Sequence, residues 1–291
     1  MNAHGWRTAV IDSPAELSLR DGTLAIRGER ETEIPLSQLE TLVIADERCT
    51  VSGKLLNALS AGGISLLFCD ARRNPSCELA AFGVSNESAG KIMEQAAWNV
   101  TDLDRVWGML VRAKISSQIK LLQTLQKEVP PGMEQAALSV APGDPDNREG
   151  QAARLYFPAL FGEHFLRHTD DNINAALNYG YTILCSSVSR CIASHGYHTA
   201  VGIHHRGKTN RFNLSCDIME PFRPFVDRIV WENAGRPLDW PYKLELIGLF
   251  QVPCTLGKRR MKLRSAIELF TLDVFKYINK PGHCLKEIRF D

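Results

Sequence analysis

The chain changes its hydrophobic rhythm once, between about Asn74 and Ser88, and that switch limits the folds open to it. Before the switch, apolar residues alternate. ELSLRDGTLAI carries an apolar residue at every second position on both sides of Arg20-Asp21-Gly22, the mark of two strands joined by a tight turn. LETLVIAD and GISLLFCD read as further short strands; VSGKLLNALSAGG between them reads as one helix, capped by Ser52 and ended by Gly62 and Gly63. After the turn-rich ARRNPSCELAAFGVSNES the period becomes helical and stays so. From Lys91 to Lys127, Ile92, Ala96, Val100, Leu103, Trp107, Leu110, Ile115, Ile119 and Leu122 recur at three and four spacing, as helices with one buried face require. The expected fold class is α+β: a small N-terminal β-rich domain over 1–80, a linker over 81–90 and a larger all-α domain over 91–291.

Prolines at 130, 131, 142 and 145 mark a connection within the helical part. Asp144-Pro145 then offers a helix start, with Asp as N-cap and Pro at the first helical position. On that helix Glu149, Ala152, Ala153 and Tyr156 share a face, so a carboxylate stands beside small residues that leave room, and Pro158 kinks or ends the helix. A long helix from about Ile173 to Ser194 follows, apolar around most of its circumference and closed by Gly196, which places it at the centre of the domain.

Composition narrows the function classes. With 44% apolar and 23% charged residues the chain is globular, and a net charge of +1 announces no nucleic-acid partner, so any such surface must come from local clustering. Its eight cysteines contain no C-x-x-C pair, which argues against zinc ribbons and disulfide scaffolds and for buried thiols. MNAHGWRTAVIDSPAEL shows no basic segment leading into an apolar run, and no apolar stretch approaches the ~20 residues of a spanning helix. A cytoplasmic protein with no membrane partner is expected.

The densest chemistry lies in GIHHRGKTNRFNLSCDIMEPFRP, residues 202–224. His204 and His205 arrive on a turn, Asn213 or Ser215 can cap a new helix, and Asp217 and Glu220, three apart, project on one side of it. Pro221 cannot donate to the carbonyl of Asp217, so a kink is expected there. An imidazole with two or three carboxylates suits Mg²⁺ or Mn²⁺ better than structural zinc, and such an ion polarises a phosphoryl oxygen and orients the attacking one. Taken by spacing alone, acids at i and i+3 are more often a solvated face, and a His-His pair is more often packing than ligand. His164 and His168 in EHFLRH stand four apart, but the Glu precedes the first His, so the metalloprotease logic is absent. No phosphate-binding Gly-rich loop and no G-x-S-x-G elbow occurs. Lys258, Arg259, Arg260, Lys262 and Arg264 crowd the expected start of a helix, and Arg206, Lys208 and Arg211 put positive charge beside the histidines, as a polyanionic substrate would need.

These residues carry a resemblance. DPDNREGQAARLYFPALFG, NAALNYGYTIL and GIHHRGKTNRFNLSCDIMEPFRPFVD, in that order, are similar to the signature segments of the CRISPR-associated endonuclease-integrase, the DNA-acquisition enzyme of CRISPR adaptation, in its type II version; WRTAVIDSPAELSLRDGTLAI and IPLSQLETLVI are similar too. The resemblance implies an N-terminal β-domain joined to an all-helical catalytic domain. It implies Glu149, His205 and Glu220 as catalytic metal ligands for Mg²⁺ or Mn²⁺, with Asp217 and His204 as supporting or alternative positions. Arg206, Lys208, Arg211, Arg223, Lys258, Arg259, Arg260 and Arg264 are the candidates for touching DNA.

The implied reaction inserts a short double-stranded DNA fragment, the spacer, into a repeat array, the fragment's 3′-hydroxyl attacking a repeat phosphodiester. A water in place of that hydroxyl gives nuclease activity. Implied partners are DNA, a second copy in a homodimer, a small ferredoxin-like adaptation protein that completes a heterohexamer, and the type II RNA-guided effector nuclease. Two other readings stand beside this one, a non-catalytic DNA-binding scaffold and a general metal-dependent phosphodiesterase.

Overall fold

A computed structural model describes residues 5, 7–79, 88–279 and 285–290. The chain divides into two compact units, Met1–Gly83 and Val84–Asp291.

The first unit carries eight strands and one helix: β1 (Arg7–Ile11), β2 (Glu16–Arg20), β3 (Thr23–Arg27), β4 (Glu31–Pro35), β5 (Leu39–Ile44), β6 (Thr50–Val51), α1 (Gly53–Ala61), β7 (Ser65–Cys69) and β8 (Pro75–Glu78). They form two four-stranded sheets, β1-β5-β7-β8 and β4-β3-β2-β6. The β2–β3 hairpin turns through Asp21 and Gly22, both at positive φ (45° and 74°), as a two-residue turn between right-twisted strands demands. In the other sheet β1, β5 and β7 run parallel. Every residue of β5 is buried, which is why LETLVI shows little alternation. Leu17, Leu24, Leu42, Leu55 and Leu59 make the shared core. Ser52 caps α1, its hydroxyl accepting the Leu55 N–H.

The second unit is helical with one small sheet. Its elements are α2 (Ser88–Ala96), α3 (Val100–Thr124), α4 (Met133–Leu138), α5 (Arg148–Phe161), α6 (Asn172–Ser194), α7 (Asn213–Met219), α8 (Arg223–Glu232), α9 (Trp240–Ile247), β9 (Pro253–Leu256), β10 (Arg259–Lys262), α10 (Leu263–Asn279) and β11 (Ile288–Phe290). Residues 81–87 of the expected linker lie outside the described residues, and residues 88–90 already belong to α2. A short helix, α4, stands among the prolines.

The start of α5 differs from the expectation. Asp144 and Asn147 both adopt left-handed backbone, Pro145 lies in a turn, and the helix begins at Arg148 with Asn147 as its cap. Asp144 still serves the first turn, from outside: its carboxylate accepts the N–H groups of Arg148 and Glu149 at 2.8 and 3.0 Å. Pro158 does not end the helix, which runs on to Phe161. The basic cluster also differs, because a hairpin precedes the expected helix. Leu256 pairs with Arg259 across Gly257-Lys258, with Gly257 at φ 63°, so Arg259 and Arg260 lie on a strand and only Arg264 lies in the helix.

Two long helices carry the unit. α3 buries Trp107, Leu110, Val111, Ile115 and Leu122 against α4, α5, α8 and α10. α6 starts at Asp171, whose side chain accepts the Asn174 N–H, ends before Gly196 at φ 83°, and packs on α7, α8, α9 and α10. Where α6 meets α8, Gly180 sits so close that an added Cβ would lie 2.4 Å from Val226 Cγ1. Beside that contact the buried Asp227 carboxylate accepts hydrogen bonds from Tyr156 at 2.8 Å and Tyr181 at 2.5 Å, tying α5 and α6 to α8. Burial lifts the Asp227 pKa to about 6, against the pull of the two hydroxyls.

Two tests follow from this packing. Overpacking at a helix crossing costs roughly 1–3 kcal/mol, more than the ~1 kcal/mol that alanine gains over glycine as a helix former. Gly180→Ala is therefore expected to lower unfolding stability, and Val226→Ala in the same chain to recover part of the loss; stabilisation by Gly180→Ala would refute the close approach. For Asp227 the folded pKa lies above the unfolded one, so its contribution is fully present below about pH 3.9 and fades as pH rises through about 6. The stability of wild type minus that of Asp227→Asn should fall by on the order of 3 kcal/mol between pH 4 and 7 in denaturant unfolding. A difference that does not change with pH would contradict the assignment.

Candidate metal-binding site

The loop that leaves α6 is shaped by polar side chains reaching back from other elements. Gln95 of α2, 2% exposed, donates to the carbonyls of His198 and Val201 (2.8 and 2.7 Å) and accepts the His198 N–H. Asn213, the first residue of α7, donates to the carbonyls of Ala200 and Gly207 and accepts the Gly207 N–H. Neither Asn213 nor Ser215 caps α7. The cap position is Phe212, and Ser215 turns inward to share a hydrogen bond with Ser189.

Asp217 closes the loop. Its carboxylate, with no exposed surface, accepts the backbone N–H groups of Ile203 (2.6 Å), His204 (3.1 Å) and His205 (3.1 Å) and meets His205 Nδ1 at 2.6 Å. This explains the glycine of GIHH: a Cβ on Gly202 would stand 2.3 Å from the His205 carbonyl oxygen and 2.8 Å from Asp217 Oδ2. An ionised carboxylate only accepts, so Nδ1 of His205 carries the proton and Nε2 keeps its lone pair in the neutral ring. The hydrogen bond to Asp217 holds the imidazole pKa above its ordinary value although burial opposes it. His204 has a different role. Its ring stacks on Trp107 of α3 at 4.3 Å and 3°, while His205 meets the same indole edge-on at 5.7 Å.

The two glutamates converge from separate elements. Glu149 stands in the first turn of α5; Glu220 opens the short 3₁₀ turn, through Pro221, that breaks α7 from α8. Lys114 of α3 lies between them, its Nζ 2.5 Å from Glu149 Oε1 and 2.5 Å from Glu220 Oε2. The contact with the buried Oε2 is a short ion pair to the Lys114 ammonium. Arg223 Nε donates to the other oxygen of Glu220 at 2.9 Å, and its guanidinium lies 4.4 Å from the centre of the Tyr181 ring. Burial alone would raise the Glu220 pKa, but Arg223 and then Lys114 overcome it and hold the group below the usual carboxylate value. Burial likewise pulls Lys114 down, and Glu220 and Glu149 more than restore it. Among the described residues no three His, Cys, Asp or Glu side chains form a ready-made metal cluster; an ammonium stands where the two glutamates meet. Glu220 Oε2 and Glu149 Oε1, both met by the Lys114 ammonium, and the free face of His205 are the kind of oxygen and nitrogen donors that a divalent ion takes.

The remaining candidates separate by position. Arg206, Lys208 and Arg211 are exposed on the loop that carries the histidines. Lys258, Arg259 and Arg260 are exposed on the β9–β10 hairpin, and Arg264 is half-buried in the first turn of α10. Arg223 lies inside the site, engaged by Glu220 and Tyr181, which leaves it off the exposed rim. His164 and His168 are exposed in the loop between α5 and α6, where their four-residue spacing carries no common helical face. Lys114 and Gln95 were not singled out from sequence. Lys114 had a signal: it falls on the stripe of Trp107, Leu110, Val111 and Leu121, where a charge is out of place unless something pairs with it.

A family profile described as CRISPR associated protein Cas1 matches residues 9–237. A CRISPR-associated endonuclease Cas1 from Neisseria meningitidis serogroup C is 34% identical over 228 residues, covering 77% of this chain and 75% of the relative. Among solved structures, a casposase bound to integration product superposes with a TM-score of 0.77 at 15% identity, covering 95% of this chain and 92% of that one. A chain of a partial Cas6-RT-Cas1–Cas2 complex superposes with a TM-score of 0.64 at 19% identity, covering 97% and 98%. Both structures share the fold. The profile match, together with the Neisseria relative, establishes that this chain belongs to the CRISPR-associated Cas1 family of endonucleases.

Proposed function

We propose that this chain inserts short DNA fragments into a CRISPR repeat array by metal-assisted transesterification, with Glu149, His205 and Glu220 holding Mg²⁺ or Mn²⁺. The observation that carries the reading is the convergence of Glu149 and Glu220, 71 positions apart in sequence, on one cationic centre in the same helical unit as an imidazole locked by Asp217. A bound divalent ion would polarise the phosphoryl oxygen and stabilise the leaving one. The residues of the chain supply the frame. Asp217 fixes the His205 tautomer and turns Nε2 outward from its own carboxylate; Arg223 keeps Glu220 ionised; Trp107 limits the rotation of both imidazoles. In the transfer, the 3′-hydroxyl oxygen of the fragment gives up its proton and bonds to a repeat phosphorus as the bond from that phosphorus to the repeat strand's 3′-oxygen breaks, and the displaced oxygen takes up a proton, so that none is gained or lost overall. With water as attacker the same step is hydrolysis.

The exposure of Arg206, Lys208 and Arg211 on the loop that carries His205 supports them as contacts to the phosphate backbone, and the exposed basic residues of the β9–β10 hairpin support a second such surface. A structural neighbour that belongs to a Cas1–Cas2 complex supports a Cas2-type partner, and a casposase bound to its integration product supports integration as the reaction. Two homodimers bridged by a dimer of a small ferredoxin-like partner, working beside a type II effector nuclease, are the assembly this reading expects. Among the described residues no helix is long and apolar enough to cross a membrane.

Substitutions rank the roles. In a strand-transfer assay on a plasmid carrying a repeat, Asp217→Asn should slow joining by about 10–100-fold, the usual range for a residue that orients a ligand. Glu149→Gln and Glu220→Gln should lose more than that, while circular dichroism and DNA retention stay close to wild type. Unimpaired joining by Glu220→Gln would sink the metal assignment and favour the scaffold reading; a larger loss from Asp217→Asn than from Glu220→Gln would exchange their roles.

A further inference from the structure

Lys114 is 9% exposed, on the inward face of α3, and its ammonium touches the two carboxylates that the functional reading assigns to the metal. A buried lysine needs a partner, but one carboxylate would satisfy it. Here two from different elements share it, while Glu220 already has Arg223 at 2.9 Å. Glu220 is buried and Glu149 only partly exposed, and two carboxylates brought to one such point repel unless positive charge stands between them; for the buried Glu220 a bare charge costs several kcal/mol. Lysine suits a temporary post. Its ammonium is a compact charge on a flexible four-carbon stem, whereas the guanidinium of Arg223 is held flat against Tyr181.

We infer that Lys114 is a placeholder for the divalent ion: its ammonium balances Glu149 and Glu220 while the metal is absent and leaves those oxygens when the metal binds. The inference rests on the proposed assignment of Glu149 and Glu220 as metal ligands. It makes two consequences specific. The metal-free protein is stabilised by Lys114 and so tolerates chelation, and the ion must displace an ammonium, which weakens its apparent affinity by the fraction of molecules in which the oxygens are free. No residue already placed among the ligands accounts for either behaviour.

The test uses the full chain, stripped of metal, as wild type, Lys114→Met, Lys114→Gln and Lys114→Arg, with Mn²⁺ as probe. Binding is read by electron paramagnetic resonance of free Mn²⁺, and unfolding midpoints are read in chelator and in saturating Mn²⁺. The expected result is an apparent Mn²⁺ dissociation constant about tenfold or more lower in Lys114→Met and Lys114→Gln than in wild type. Their midpoints should fall by several degrees in chelator and recover in Mn²⁺, while wild type moves little. Lys114→Arg, which keeps the charge, should hold its midpoint in chelator and bind Mn²⁺ no more tightly than wild type.

Equal affinities across the series, or a midpoint loss that Mn²⁺ does not restore, would overturn the placeholder role while leaving the metal assignment standing. Absence of Mn²⁺ binding in wild type and variants alike would remove the metal assignment and this inference with it. Should Lys114→Met fold in neither buffer, Lys114→Gln, which retains a hydrogen-bond donor, decides by the same two readings.

Discussion

The Asp217 carboxylate holds together the part of the helical unit that matters for chemistry. It is fully buried, yet it is not a charge left in oil: three consecutive backbone N–H groups and one imidazole N–H point at it. Charge-assisted hydrogen bonds of this kind are stronger than neutral ones, and here they pull residues 203–205 into an arc that no regular element would impose. The arc brings the backbone so near the carboxylate that residue 202 has no room for a side chain. Gln95 and Asn213 then hold the flanks of the loop through their own amides. Backbone polar groups on the inner side of an irregular segment must find partners somewhere; in this loop they find them in side chains of α2 and α7 rather than in a sheet or helix.

The acids of the site are held differently. Glu149 stands in the first turn of α5, where negative charge is favoured, and Glu220 stands at the junction of α7 and α8, where the helix dipole gives it no help; each is met by a cation, Lys114 for both and Arg223 for Glu220. Removing any one charge from such a set leaves another stranded in the interior, so the four residues behave as one unit. The Tyr156–Asp227–Tyr181 cluster continues the same logic a turn further along α8. Its Tyr181 ring carries Arg223 on its face, so the backbone of α6 also supports the charge balance of Glu220. Sites built on packed helices hold their geometry better than sites on loops alone, and here the one loop contribution, His205, is fastened by Asp217 to α7.

What the sequence revealed follows the range of the interactions involved. The Asp21-Gly22 turn, the Ser52 cap and the glycine after α6 are local, decided within a few residues, and they were legible. The parallel order of β1, β5 and β7 was not, because it is set by pairing between segments that lie far apart and alternate poorly when both faces are covered. The α5 start misled for a physical reason: Asp-Pro is a good opening pair, but Asp144 and Asn147 take left-handed backbone and move the first turn to Arg148. Gly257-Lys258 between short alternating runs was a hairpin signal hidden by the basic residues around it. The site itself was half visible. Its ligating residue types stood out in GIHH and DIMEP, and the family resemblance ordered them; Gln95 gave no warning of its task, and Lys114 showed only as a charge on an apolar stripe, whose partners lie far away in sequence.

Net charge misled least where it was distrusted. A value of +1 sums over residues that present no charge to the outer surface, including Asp217, Glu220 and Arg223, which are paired with neighbours inside the helical unit. At physiological ionic strength exposed charges act over about 8 Å, so what a phosphate backbone meets is the local set, not the total. Arg206, Lys208 and Arg211 lie within six residues of one exposed loop, and the loop is the same one whose inner side Asp217 fixes. The geometry therefore couples two properties that sequence lists separately. The carboxylate that fixes the imidazole also sets where those three cations stand, so a change that loosens Asp217 would disturb the surface field and the inner site together.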